Sequence, residues 1–513
     1  MTKNFIRNIC CIILIFFACL KAQAEKGYFE FTPLAKQAYA KTMSLRLVEA
    51  NNLLQQMRAS EPDNLLRYYI ENYVECLQVF ISENKDDYEK LDNHVKERIK
   101  QLKKGDEKSP YYLFCIAQTR LLYTLNCLKF HSYLPSMNQA SAAFDELERN
   151  AKKNPDFMPN KMSLGAFHAA LGAIPNNWKW SVKFVSGMNG TVKQGIGELN
   201  EVIEYAQKNE FLFEQEAYVI YALIQLNINN APGNAWSLMS KTNLKPKESP
   251  LACFAMANIA TRTGHNDKAI EILSNPPQGN AYMPVPFLDY MLGSAKLYRN
   301  DTSAARHLQT FLDNFKGFNN IKSAHQRLAW CALLKGSAEG YWKEMYLCKT
   351  VGKAEEGIDK NALKEANSGV MPDATLLAAR LLFDGGYFTA AEEKIKPKKE
   401  ADFATPEQKL EYHYRKGRIA QSLKKNKEAI DAYNQTLSLD KKSTTYFPCN
   451  SALQLGIIYE LLKDTTQARV KYNLCLDLSP DEFADSFHSK AKAGLGRLKV
   501  KEGRKSEGMK SEK

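Results

Sequence analysis

Small and large apolar residues recur at helical spacing through the C-terminal third of the chain, and their positions repeat. Counted from Leu410, Gly417 falls at position 8, Ala429 at 20, Tyr433 at 24 and Thr436 at 27. Counted from Cys449, Leu455 falls at 7, Gly456 at 8, Tyr459 at 11, Ala468 at 20, Tyr472 at 24, Cys475 at 27 and Pro480 at 32. Two antiparallel helices approach closely only where small residues occupy their crossing, here positions 8 and 20. Larger residues at 7, 11 and 24 then fill the groove to the next helix. Pro480 cannot continue the second helix and turns the chain onward. The pattern predicts first helices over Leu410 to Leu423 and Asn450 to Leu462.

Weaker copies lie upstream: Ala257 with Gly264 and Ala269, Leu292-Gly293 with Ala305, and Ala379 with Gly386, Ala391 and Ile395. The position-20 residues Ala235, Ala269 and Ala305 are 34 and 36 residues apart, and Ala391, Ala429 and Ala468 are 38 and 39 apart. The gap from Ala305 to Ala391 leaves room for a degenerate unit around Leu328-Ala329 and an insertion through Asn367-Ser368-Gly369. Ala50, Leu54, Met57 and Pro62 keep the same spacing near the start. Strand signals are nearly absent. Positions and period together are those of a tetratricopeptide repeat, which predicts an all-α solenoid of helix-turn-helix units in a right-handed superhelix. Regular repeats are expected from about Glu214 to Pro480, with Ser486 to Leu498 as a capping helix.

Residues 162–199 read MSLGAFHAALGAIPNNWKWSVKFVSGMNGTVKQGIGEL. Gly165, Phe167, Leu171, Ile174-Pro175, Phe184-Val185, Gly187, Gly190, Gly195 and Leu199 follow a definite order: a Gly-x-Phe helix, a Pro turn, a short amphipathic helix, and a glycine turn. This segment resembles the signature of the tetratricopeptide repeat protein 39 family, which includes the yeast inclusion-body clearance protein. Thr191-Val192 stands where that family has Asp-Arg, and those relatives are intracellular. The resemblance implies a helical repeat scaffold without established catalysis and transfers no partner. Trp178, Trp180 and Phe184, with Lys179 and Lys183, compose a short helix suited either to plugging the repeat groove or to touching lipid or a partner helix.

The organisation expected is a secretion signal at 1–24, divergent helical repeats at 25–161, the signature segment at 162–199, degenerate repeats at 200–370, regular repeats with a cap at 371–498, and a basic disordered tail at 499–513. Lys3 and Arg7, the apolar run from Ile9 to Leu20, and Ala22-Gln23-Ala24 compose the leader, with cleavage before Glu25. Export to a bacterial periplasm or cell envelope follows. Phe16 and Phe17 disfavour Cys19 as a lipid-bearing first residue. The net charge of +13 includes Lys3, Arg7 and Lys21 of the leader, and the tail adds six Lys or Arg against three Glu. Such a balance attracts anionic partners, but nucleic acid is not a partner expected of an exported protein. Outside the leader, Cys76, Cys115, Cys127, Cys253, Cys331, Cys348, Cys449 and Cys475 have no CxxC spacing and suit small core fillers or scattered bridges.

No motif for catalysis, metal or cofactor stands out. The eight histidines are isolated, and HExxH, GxSxG, GxxxxGK[ST] and GxGxxG are all absent. Neighbouring carboxylates such as Asp86-Asp87, Glu355-Glu356 and Glu392-Glu393 suit solvated surface. The expectation is a non-enzymatic scaffold with no cofactor, binding a protein or peptide partner in its groove, with peripheral membrane contact through Trp178 and Trp180 as the alternative. Arg415, Arg418, Gln421 and Lys424 share roughly one face of the first helix from Leu410 and are the candidates for clamping an acidic chain. Gly417, Ala429, Tyr433, Gly456, Tyr459, Ala468, Tyr472 and Pro480 are the candidates for holding the repeats together.

Overall fold

Helix after helix begins on a hydroxyl or carboxyl cap: Thr32 accepts from the amide of Ala35, Asp373 from Thr375 and Leu376, and Thr405 from Gln408 in a capping box. In the computed structural model, which describes residues 26–174, 187–229, 231–355, 357–440 and 443–511 with side chains up to Leu498, this local chemistry gives 24 α-helices. Among the described residues there is no strand, only two isolated β-bridges, Gly27 with Gly105 and Tyr28 with Asn64. The fold is all-α, built from stacked helical hairpins.

The chain divides into two compact units. The first holds residues up to Ile259, with Ser274–Val285 and Phe315–Gly317. Its helices are α1 (Pro33–Met43), α2 (Leu47–Ser60), α3 (Leu66–Ser82), α4 (Lys85–Leu102), α5 (Pro110–Lys129), α6 (Tyr133–Lys153), α7 (Met158–Ala173), α8 (Val192–Lys208), α9 (Glu214–Asn227) and α10 (Pro232–Met239). Helices α1 and α2, α5 and α6, α7 and α8, and α9 and α10 pair as antiparallel neighbours. Phe31, Tyr39, Phe114 and Phe213 meet edge to face at the centre, with ring centroids 5.5–6.0 Å apart.

The glycines of the signature segment have a packing reason. A Cβ on Gly195 would stand 2.3 Å from the carbonyl oxygen of Gly165 and 2.4 Å from the amide nitrogen of Ala169, and one on Gly190 would stand 2.6 Å from the Cα of His168. Helices α7 and α8 therefore cross with backbone against backbone. Gly195→Ala is expected to cost about 2 kcal/mol, because rigid backbone must move apart. A urea titration giving a loss below about 0.5 kcal/mol would contradict so close a crossing.

Helices α11 (Pro250–Arg262) and α12 (Asn266–Ser274) follow in the chain. The second unit then contains α13 (Phe287–Tyr298), α14 (Ala304–Asn314), α15 (Ile321–Leu334), α16 (Ala338–Thr350), α17 (Gly357–Ser368), α18 (Ala374–Asp384), α19 (Phe388–Ile395), α20 (Pro406–Ser422), α21 (Asn426–Leu439), α22 (Tyr446–Leu461), α23 (Thr465–Asp477) and α24 (Ala484–Ser511). The hairpins are α13/α14, α15/α16, α18/α19, α20/α21 and α22/α23. First helices α18, α20, α22 and α24 lie side by side in that order.

Both well-patterned repeats close as their spacing predicts. Gly417, Ala429, Tyr433, Gly456, Ala468, Tyr472 and Pro480 are buried, and Tyr459 is half-buried. A Cβ on Gly417 would come within 2.6 Å of the Tyr433 ring, and one on Gly456 within 2.5 Å of the Tyr472 ring. Position 8 is thus empty so that the position-24 tyrosine can lie flat across the first helix.

The insertion after α16 is a structured part of the unit. From α17, Asp359 accepts from the amides of Asn320 and Ser323 at 2.7 and 2.9 Å, capping α15. Glu365 accepts from Gln326, Trp330 and Tyr341. The Lys322 ammonium donates to the carbonyls of Cys348, Lys349 and Val351 at the end of α16.

At the other end, α24 runs unbroken to Ser511, where the composition predicts a disordered tail beyond residue 498. No proline interrupts that stretch, and a helix already anchored by Leu498 propagates at little cost. The eight cysteines from Cys76 to Cys475 are free thiols and all buried, which is the core-filler role. Residues 1–24, where a leader is expected, and Cys19 among them lie outside the described residues.

Candidate functional site

Helix α20 carries the candidate clamp, and its residues face several neighbours. Leu410, Tyr412 to Arg415, Gly417, Ile419 and Ala420 are all buried, because a first helix packs against its own second helix and against the first helices on either side. The polar residues among them therefore need internal partners.

Arg415 has them. Its Nε and Nη2 both donate to Glu411 Oε1, at 3.0 and 2.7 Å. Its guanidinium carbon lies 5.4 Å from the Tyr414 ring centroid and 5.8 Å from that of Phe447. Gln421 accepts a hydrogen bond from the Tyr433 hydroxyl at 2.7 Å. Lys424 is exposed and occupies the left-handed region at φ 60°, in the turn between α20 and α21. Arg418 is half-buried, donates to the Tyr414 hydroxyl at 3.1 Å, and lies 4.9 Å over the Phe383 ring. The four candidates thus do not form one row: Arg418 faces the surface of the first-helix layer, Arg415 is built into the layer, Gln421 serves the repeat tyrosine, and Lys424 belongs to a turn.

Neighbouring first helices supply what the reading of one helix misses. Arg380 of α18 is half-buried and stacks 4.6 Å over Trp330, with Nη2 unpartnered. Arg327 of α15 is buried 5.0 Å over Tyr290 and 5.9 Å from Trp330. Among the described residues neither of these guanidiniums, nor that of Arg418, is ion-paired to a carboxylate. Exposed Asp384 lies within electrostatic reach of Arg415, Arg380, Arg418 and Arg327. From α22, Asn450 donates to the Tyr414 hydroxyl at 2.7 Å and receives Gln454 at 3.0 Å. The result is a cationic and aromatic surface spread over α15, α18, α20 and α22. Cation–π stacking fixes each guanidinium without neutralising it.

Trp178, Trp180 and Phe184 lie outside the described residues. Among the described residues, no group of three or more His, Cys, Asp or Glu could hold a metal ion, and no helix is long and apolar enough to cross a membrane. His168, His325 and His413 lie against Glu198, Glu344 and Glu400 at 2.6–2.9 Å, and His168 also lies 3.7 Å from Glu148.

A family model described as "Tetratricopeptide repeat" matches residues 410–443, which take in α20 from Leu410 onward, the turn after it and α21. No curated protein matches the chain. Among solved structures, the chain is similar to the TPR domain of P58(IPK), at 13% identity over 80% of this chain and 96% of that one, with a TM-score of 0.21. It is also similar to Naa15/Naa10 bound to HypK-THB, at 12% identity over 91% of this chain and 79% of that one, again with a TM-score of 0.21. The assignment of tetratricopeptide-type repeats rests on residues 410–443 and on the hairpins themselves. A repeat of this kind is a scaffold for protein–protein contact, since stacking leaves a continuous row of first helices open to a partner.

Proposed function

We propose that the chain is an exported, non-enzymatic scaffold that holds an extended acidic segment of a partner protein against α15, α18, α20 and α22. The observation that carries this reading is the stacking of Arg380 on Trp330 and of Arg418 on Phe383, two half-buried guanidiniums on neighbouring first helices that, among the described residues, are not ion-paired to a carboxylate, Asp384 being the acid within electrostatic reach. Arg327, buried below them, adds positive potential. Guanidiniums held flat on aromatic rings lose little freedom on binding, so each bidentate bond to a carboxylate is gained at low entropic cost. Export rests on the leader at 1–24, and the kinship with the tetratricopeptide repeat protein 39 family rests on the 162–199 segment.

The test is an anisotropy titration of the full chain with a labelled twelve-residue peptide rich in Glu and Leu, set against a sequence-matched Gln peptide. The acidic peptide is expected to bind at least tenfold more tightly, a margin of about 1.4 kcal/mol. Combining Arg380→Gln with Arg418→Gln is expected to remove that margin while the far-ultraviolet spectrum stays helical. Equal affinity for the two peptides, or an unchanged margin in the double variant, would overturn the assignment of this surface.

A further inference from the structure

The first unit contains a cavity of about 650 Å³ between α1, the N-terminus of α9 and the segment 245–249. Tyr39, Met43, Phe211, Leu212 and Tyr282 supply its apolar and aromatic lining, Lys41, Arg46 and Lys245 line it as well, and Glu216 opens into it. That size suits a side chain or a small ligand.

Glu216 is held in place rather than loose. The Tyr39 hydroxyl donates to Oε2, and the Tyr73 hydroxyl donates to Oε1 at 2.9 Å. Both tyrosines are buried, at 3% and 6% exposure, and a buried hydroxyl needs an acceptor. A neutral amide would satisfy that need. What the carboxylate adds, when ionised, is a negative charge facing a cavity with aromatic walls. The three cations of the lining are each paired to another carboxylate: Lys41 and Arg46 each lie 2.6 Å from Glu49, and Lys245 lies 3.4 Å from Glu248. Among the described residues, no Lys or Arg is ion-paired to Glu216. Glu214, two residues earlier on α9, adds to the negative potential.

We infer that this cavity is a binding site for an alkylammonium group, the end of a lysine side chain or a free alkylamine, with the ammonium against Glu216 and the methylenes along Tyr39, Phe211 and Leu212. Rigid carboxylate, aromatic walls and an open mouth are what an organic cation requires: charge for the head and apolar surface for the chain. The protonation of Glu216 agrees with this. Burial raises its carboxyl to about 7, in spite of the lowering by the bonds from Tyr39 and Tyr73, so near neutrality the empty site lacks the charge that would hold it ionised. A bound ammonium supplies that charge.

The experiment is isothermal titration of the full chain with n-butylammonium chloride, with n-butanol as the neutral control at matched ionic strength. The ammonium is expected to bind at least tenfold more tightly than the alcohol, and Glu216→Gln to reduce it to the level of the alcohol. Repeating the wild-type titration at pH 7 in phosphate and in HEPES, neither of which carries a primary ammonium, separates the proton count from the binding heat. Release of about half a proton per ligand is expected, since a carboxyl near its midpoint becomes fully ionised on binding. Affinity should also fall about tenfold from pH 7 to pH 5.5, as protonated Glu216 loses its attraction for the cation while Lys41, Arg46 and Lys245 keep their charge. No preference for the ammonium over the alcohol, or full retention of it in Glu216→Gln, would overturn the site. If that variant does not fold, the wild-type proton count decides: binding without proton release contradicts a cation seated on Glu216.

Discussion

Tyr472→Ala is expected to lower the stability of the C-terminal repeats by about 3–5 kcal/mol, as truncating a fully buried aromatic side chain does. Tyr472 has no exposed surface. Its ring fills the space above Gly456 of α22 and Gly494 of α24, where added Cβ atoms would come within 2.5 and 2.4 Å of it. The hydroxyl donates to Glu460 at 2.8 Å, and Glu460 in turn receives Arg497 of α24 at 2.8 and 3.0 Å. One side chain therefore joins a hairpin to the helix that closes the array, by dispersion on both ring faces and by a charge-assisted bond at its tip. Removing it opens a cavity that two helix backbones cannot easily fill. Urea unfolding followed by circular dichroism measures the loss, and Tyr472→Phe, which keeps the ring, should restore all but about 1 kcal/mol. A loss from Tyr472→Ala below about 1 kcal/mol would mean that the helices repack freely and that the glycine–tyrosine contact is not what holds them.

Arg415→Met is the second large effect, on the order of 3 kcal/mol, because it leaves one half of an enclosed ion pair without its partner. Glu411 retains about 20% side-chain exposure, so water recovers part of its solvation and the cost lies at the lower end for such a pair. Two aromatic stacking contacts, on Tyr414 and Phe447, are lost with the charge. Arg418→Gln should behave differently. Arg418 is half-buried and has a neutral hydroxyl partner, so its loss should cost about 1 kcal/mol of stability and show itself in acidic-peptide affinity. Paired urea titrations of the two variants check the contrast. Equal destabilisation would show that Arg415 and Arg418 play one structural role, contrary to the division of labour drawn from their surroundings.

That division explains how far the sequence could be read. The pairs Gly417–Tyr433 and Gly456–Tyr472 were legible because both members sit at fixed positions within one repeat, and a local period encodes their contact. Arg415, Arg418, Gln421 and Lys424 share a helical face on a wheel, but a wheel assumes one buried side, and a first helix in a stack is covered on several. Which polar residue escapes burial is then set by side chains two or three elements away, such as Phe383 and Phe447. Arg327 reaches the same layer from beyond the α17 insertion, outside the period, whereas Arg380 keeps the period, 38 residues before Arg418 and likewise just after the small residue at position 8, a link that a wheel of one helix does not show. The roles of Asp359 and Glu365 in locking that insertion were hidden for the same reason. Glu216 left no signal, since a glutamate in the first turn of a helix is ordinary there for the macrodipole alone. The glycines of residues 162–199 were legible as a pattern, and their purpose became clear only with the approach of α7 to α8.

The central claim is that the first-helix layer of the second unit is the face that receives a partner. Hydrogen–deuterium exchange of the full chain, with and without saturating acidic peptide, tests it most directly. Slower exchange in α18, α20 and α22, with α19, α21 and α23 unchanged, is the predicted result. Protection confined to those second helices, or none anywhere in the unit while the peptide is bound, would contradict it.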